Sequence, residues 1–260
     1  MAAMLGLLAT YTAQCAKACS SLAASSRAGV KTSHEGSTGS SVVHSLVKMA
    51  TKQTTQGGRA HLKTVFAVLA NLALSNVCRG ILWKSNFLQG FSTVVPGKGG
   101  KDKKQNSPAA RWLAVLVNVS FSLDGQQMLI KIPDMLGLLV EHVQSSPRSC
   151  QTLALLVLRN MCFHPANKPR MVAHEKVVET LLRCMESGSL HLKAVASSAL
   201  WALVTNCQKG KVGLKNAAVV HRLEESWQAI RRDPPTSSKE QKLVQQCLYN
   251  MKTIVSVVRS

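Results

Sequence analysis

The closest approach to a reactive motif in these 260 residues is His174-Glu175-Lys176-Val177-Val178. It opens like the HExxH helix, in which two histidines one turn apart bind zinc and the glutamate acts as base. The fifth position is Val178, so the second ligand is missing and His174 reads as a surface or helix-end residue. Pro96-Gly-Lys-Gly-Gly-Lys-Asp-Lys-Lys104 has the glycines and lysines of a phosphate cradle. It lacks GxxxxGK followed by Ser or Thr, and Asp102 stands where the third glycine of GxGxxG belongs, so a solvated loop is expected. No GxSxG elbow occurs, and Glu224 and Glu225 are sequence neighbours that diverge on a helix instead of converging as an acid–base pair. Asn118-Val119-Ser120 matches a glycosylation sequon, but it lies in an apolar helical run where a sugar would require unfolding of the core. The residues predict no catalytic centre, no metal site and no cofactor.

The elements that would have to position such chemistry are helical. The apolar fraction is 46%, yet only five Phe, two Tyr and four Trp are present, so the core is built from Ala, Leu and Val. Apolar residues recur at helical spacing, and no convincing run of period-two alternation appears, which predicts an all-α fold. Residues 1–24 read as an N-terminal helix, since no Lys or Arg precedes the apolar start as a signal peptide requires. Residues 25–45, dense in Ser, Gly and Thr, read as a flexible connector. Residues 46–260 form the repeat domain, interrupted by an inter-repeat loop at 92–107. Nothing has the ~18 consecutive apolar residues of a membrane-spanning helix. The eight cysteines include no CxxC pair and mostly sit in apolar helical contexts, so they read as small buried hydrophobes in a reducing compartment.

A fixed period decides the architecture. The pattern large aliphatic, any residue, Asn, aliphatic occurs at Leu69–Leu72, Leu116–Val119, Leu158–Met161 and Leu248–Met251, with Leu200-Trp-Ala202-Leu as a variant. The key positions 71, 118, 160, 202 and 250 bracket the ~40–47-residue period of armadillo and HEAT repeats. A gapless alignment adds apolar blocks ten to twelve residues later (Ile81–Trp83, Met128–Ile130, Arg170–Val172, Val212–Leu214) and again at Leu88, Met135, Val177 and Val219. Helix pairs or triplets of this kind bury their faces only against neighbours, so an α-solenoid of about four repeats plus a partial one is expected.

Two groups of residues are candidates for binding a protein. Asn71, Asn118, Asn160 and Asn250 match the inner Asn ladder with which some armadillo repeats hold an extended peptide, a job suited to a short side chain with donor and acceptor. The Trp that accompanies such a ladder one turn earlier is replaced by Ala67, Ala114, Leu156 and Ser198, which favours a structural Asn near a helix end. Trp83, Trp112, Trp201 and Trp227 share no repeat position and read as core. The second group is Lys98, Lys101, Lys103 and Lys104. Against 32 Lys and Arg stand 12 Asp and Glu, a formal charge of +20, and a basic nucleic-acid-binding repeat protein is therefore an alternative. No aromatic interleaves that lysine cluster to stack bases, so acidic protein surfaces such as tubulin tails are the preferred partner.

The run Leu158–Val178, the block Ala199–Lys211, Phe87-Leu-Gln-Gly-Phe91, Asp124-Gly-Gln-Gln-Met-Leu129 and Gln246-Cys-Leu-Tyr-Asn-Met251 together resemble the C-terminal region of the rotatin family. The likeness covers roughly residues 60–260 and fades over 1–59. Members of that family are much longer, so the resemblance implies a fragment or short isoform. It also implies an armadillo-like, non-enzymatic scaffold of the centriole and ciliary basal body, concerned with centriole assembly and elongation, cilium organisation and left–right axis specification. Its implied partners are centriolar and centrosomal proteins. No catalytic residue is carried over.

Overall fold

A computed structural model describes residues 2–14, 21–22, 42–55, 61–94, 107–233 and 235–259. Every regular element among them is helical. The elements run α1 (Ala2–Gln14), α2 (Val42–Thr55), α3 (Leu62–Leu72), α4 (Asn76–Lys84), a 3-10 turn (Phe87–Thr93), α5 (Pro108–Val119), α6 (Leu123–Ile130) and α7 (Met135–Ser145). They continue as α8 (Arg148–Met161), α9 (Lys168–Ala173), α10 (Glu175–Ser187), α11 (Leu190–Val204), α12 (Gln208–Leu214), α13 (Ala217–Arg232) and α14 (Ser238–Arg259). The chain divides into two compact units, Met1–Ile132 and Pro133–Ser260.

The local reasons are visible at the helix starts. Ser107, Ser122 and Ser189 stand in extended backbone and accept from the backbone N–H of Ala110, Gly125 and Leu192, which satisfies one orphan donor each; Pro108 adds a fixed φ at the first position of α5. Positions 71, 118, 160 and 202 each stand near the end of a long helix, followed by a short helix and then a third segment, whereas Asn250 lies within α14. Relative to positions 71, 118, 160 and 202, the residues six, five, three and two before and one after are buried in all four long helices. In α3 these are Val65, Phe66, Val68, Leu69 and Leu72; in α8 they are Ala154, Leu155, Val157, Leu158 and Met161. Burying each large aliphatic contributes ~1.5–3 kcal/mol, so the shared stripe is the main source of stability in these helices.

Within each unit, like packs on like. In the first, α1 lies against α3 and α3 against α5, while α4 lies against α6. Phe66, Phe87 and Trp112 meet there, with Phe87 and Trp112 stacked at 4.4 Å between ring centroids. In the second, α8, α11 and α14 form one layer, α9 and α12 another, and α7, α10 and α13 a third.

Several expectations change. The first helix, described over Ala2–Gln14, packs on α3 as part of the first unit instead of standing apart from it. Residues 42–45, expected in the connector, belong to α2, and the expected loop 92–107 begins inside the 3-10 turn. The stretch 46–260 is shared between the two units. The gapless register also slips in the fourth repeat. α12 starts six residues after position 202, whereas α4 and α6 start five after positions 71 and 118, and Asn206 in the three-residue turn before α12 takes the left-handed region at φ 51°. Leu214 is consequently fully buried, whereas Val212 is 63% exposed. In α14 the buried set is Cys247, Asn250, Met251, Ile254 and Val258, so Leu248 is half-buried, unlike its fully buried counterparts Leu69, Leu116, Leu158 and Leu200.

Candidate functional site

The repeated asparagines turn toward neighbouring long helices. Asn118 donates from Nδ2 to the Ala70 carbonyl at 2.8 Å, one repeat back, and Asn71 donates to the Ala9 carbonyl and Thr12 Oγ1, both at 3.2 Å. The two bonds are equivalent, so Leu8-Ala9-Thr10 in α1 occupies the place of Leu69-Ala70-Asn71 in α3. α1 thus meets α3 much as α3 meets α5, a relation unseen in the sequence because Thr10 replaces the Asn and 61 residues separate it from position 71. Asn160 is buried and accepts from Arg159 Nη1 at 3.0 Å, while Arg159 Nε donates to Ser198 on α11. Asn250 donates to Ser197 Oγ at 3.1 Å, also on α11. A neutral amide hydrogen bond of this kind is worth ~0.5–1.5 kcal/mol net, so Asn71, Asn118 and Asn250 join helix to helix, while Asn160 braces Arg159, which makes the crossing to α11. Lys98, Lys101, Lys103 and Lys104 lie outside the described residues.

A second polar position emerges eight residues after the key one: Arg79, Gln126 and Lys168 are all nearly buried, at 5–6% exposure. Each sits early in a short helix and donates into the C-terminal end of a long one, where carbonyls lack intrahelical partners. Arg79 Nη1 donates to the carbonyls of Ala73 and Leu74 at 3.1 and 2.8 Å, Gln126 Nε2 to that of Ser120 at 2.9 Å, and Lys168 Nζ to that of Thr205 at 2.6 Å. Arg79 also reaches the next repeat, with Nε and Nη2 forming a two-pronged pair with Asp124 at 2.9 Å each. Partial burial works against the charged form of Asp124, but the bonds and charge of Arg79 outweigh it and hold the carboxyl below its ordinary range. The gapless alignment contains these donors; weighing only its apolar columns hides them.

The second unit carries two further surface features. Arg222 on α13 is gripped by Glu179 and Glu186 of α10, and these bonds hold the Glu179 carboxyl below its usual range despite some burial. Between α13 and α14 runs an open groove of about 480 Å³ floored by Trp227, Met251 and Val255, with Arg259 paired to Glu224 at its rim. His174 stands at the position before α10 without a side-chain hydrogen bond to its first turn. Among the described residues, no three His, Cys, Asp or Glu side chains gather as metal ligands, and no helix is long and apolar enough to cross a membrane. Cys78, Cys150, Cys162 and Cys247 are buried; Cys15 and Cys19 fall outside the described residues.

No family model matches the chain. A solved engineered protein, a Northeast Structural Genomics Consortium target, superposes with a TM-score of 0.61 over 92% of this chain and 90% of its own, at 16% identity, a likeness of fold alone. Human rotatin is 38% identical over 235 residues, 90% of this chain, and mouse rotatin 38% over 229 residues, 88% of it. The match spans about 10% of the length of either relative. Over about nine-tenths of its length the chain is thus rotatin-related.

Proposed function

We propose that this chain is an armadillo-like α-solenoid module that acts without catalysis, as a protein-interaction scaffold at the centriole and ciliary basal body. The observation that carries this is the 38% identity to rotatin along nearly the whole chain. The like-on-like packing of long, short and third helices within each unit supports the solenoid part, because a repeat so built buries its faces only through its neighbours. The buried donors and asparagines are engaged in joining one helix to another, so the surface rather than a pocket is left for partners. On this reading the chain contributes to centriole assembly and elongation, cilium organisation and left–right axis specification by holding centrosomal proteins.

The test is proximity labelling with the tagged chain in dividing, ciliated cells. Enrichment of centriolar proteins over a cytosolic control is the expected result. A purely nuclear or diffuse label without that enrichment refutes the assignment.

A further inference from the structure

Charge in the second unit is sorted by helix layer. Its nine carboxylates are Asp134, Glu141, Glu175, Glu179, Glu186, Glu224, Glu225, Asp233 and Glu240, all on α7, α10, α13 and the start of α14 or beside them. The spans 146–174 and 187–223 hold none. These spans contain the short helices α9 and α12, which pack on each other closely enough that a Cβ on Gly213 would meet Val172 Cγ1 at 2.3 Å. We propose that this short-helix edge docks an acidic, leucine-bearing peptide segment of a partner protein.

Three observations point to that occupant. First, the edge has five cations, Lys168, Arg170, Lys209, Lys211 and Lys215, and the adjoining Glu175 is followed at once by Lys176. Lys168 is turned inward onto the Thr205 carbonyl, which fixes α9 to the end of α11; Arg170, Lys209 and Lys215 are exposed and Lys211 half-buried. Such a one-sign face attracts an oppositely charged chain over about one Debye length, ~8–10 Å at physiological salt. Second, the one-residue-later start of α12 leaves Val212 63% exposed in the middle of those lysines, giving an apolar contact that a purely ionic surface lacks. Third, residues 164–174 and 205–216 contain no Phe, Tyr or Trp, so the face has no aromatic platform for bases, which favours a peptide over a nucleic acid.

The inference rests on the scaffold reading but is tested apart from it. Fluorescence anisotropy would follow binding of the intact 260-residue chain to a labelled twelve-residue peptide of glutamates with two leucines, at about 0.15 M salt. Reversing Lys209, Lys211 and Lys215 to Glu should weaken binding about tenfold or more, as expected for three partly exposed ion pairs. Reversing Lys239, Lys242 and Lys252 on α14 imposes the same change of net charge and should cost less than about threefold. The Lys→Gln triple provides a milder second variant, and circular dichroism checks that each chain folds. Val212→Ser should weaken the leucine-bearing peptide and leave an all-glutamate one unchanged. Equal losses from the two reversals, no binding by the unaltered chain, or tighter binding of an RNA duplex would each overturn the proposal. Centrosomal labelling without peptide binding removes this surface alone; peptide binding without centrosomal labelling removes the organelle alone.

Discussion

Arg79→Met removes a guanidinium while keeping most of the apolar stem, and its cost can be worked from the bonds described. Two of the four bonds end on the Ala73 and Leu74 carbonyls at the end of α3, where the guanidinium itself is nearly buried. Losing a charged donor to a buried acceptor costs ~1–1.5 kcal/mol each, so about 2–3 kcal/mol come from this end. The other two reach Asp124, whose side chain is 46% exposed and regains water, so this half is discounted to ~0.5–1 kcal/mol. The variant should therefore lose about 2.5–4 kcal/mol, and Asp124→Asn about 1 kcal/mol or less. Because the Asp124 carboxyl is held below its ordinary value near 3.8, its share is fully present above that value and fades as pH falls through the lower folded one. Urea unfolding followed by circular dichroism at pH 7 and pH 3, for each single variant and the pair, measures both quantities. The acid-sensitive share should shrink in Arg79→Met to what the Ser122 hydroxyl and the Gly125 amide still supply. A loss below ~0.5 kcal/mol, or an Asp124→Asn variant as damaged as Arg79→Met, would refute the view that the carbonyls matter more than the ion pair.

Leu158→Ala should cost ~2–5 kcal/mol by urea unfolding, and Leu248→Ala about 1 kcal/mol, since only the first is fully buried; comparable losses would mean that the register in α14 is misread. Gly125→Ala and Gly210→Ala should each destabilise by ~1–3 kcal/mol or more, because the new Cβ would sit 1.8 Å from the Val119 carbonyl and 2.0 Å from that of Leu203, whereas Gly80→Ala meets nothing within 4 Å and should stabilise α4 by ~0.5–1 kcal/mol. Burial pushes the Cys184 thiol up to about 11, so at pH 8 iodoacetamide should modify it more slowly than half-buried Cys207, as read by peptide mass mapping; the reverse order would refute its shielding.

The long helices were legible from residue types because their burial repeats as a stripe, and Leu69, Leu116, Leu158 and Leu200 mark it without exception. Two features escaped that logic for physical reasons. Leu248 satisfies the letter pattern, but α14 presents Cys247, Met251, Ile254 and Val258 inward, a rotation that only its contact with α11 determines. In α1 the bond accepted by Ala9 comes through a backbone carbonyl, which every residue owns, so no side-chain type announces it. The polar position of Arg79, Gln126 and Lys168 was present in the same alignment, as donors amid apolar columns. The basic edge around Val212 needed the structure, because a one-residue shift in where α12 starts decides which way it faces.

In α11, 11 of 15 residues are buried, and Ala194, Ala196, Ser197, Ser198, Ala199 and Ala202 make up most of them. Small side chains let α8 and α14 approach its backbone from two sides, and such a helix has no face it can expose without parting both neighbours. Its amides should thus be the slowest in the second unit to exchange with deuterium. Their exchange rates report the free energy of opening the whole layer rather than of fraying one segment. That gives α11 the role of a clock for the unit's integrity, against which the loosening caused by any distant substitution can be timed.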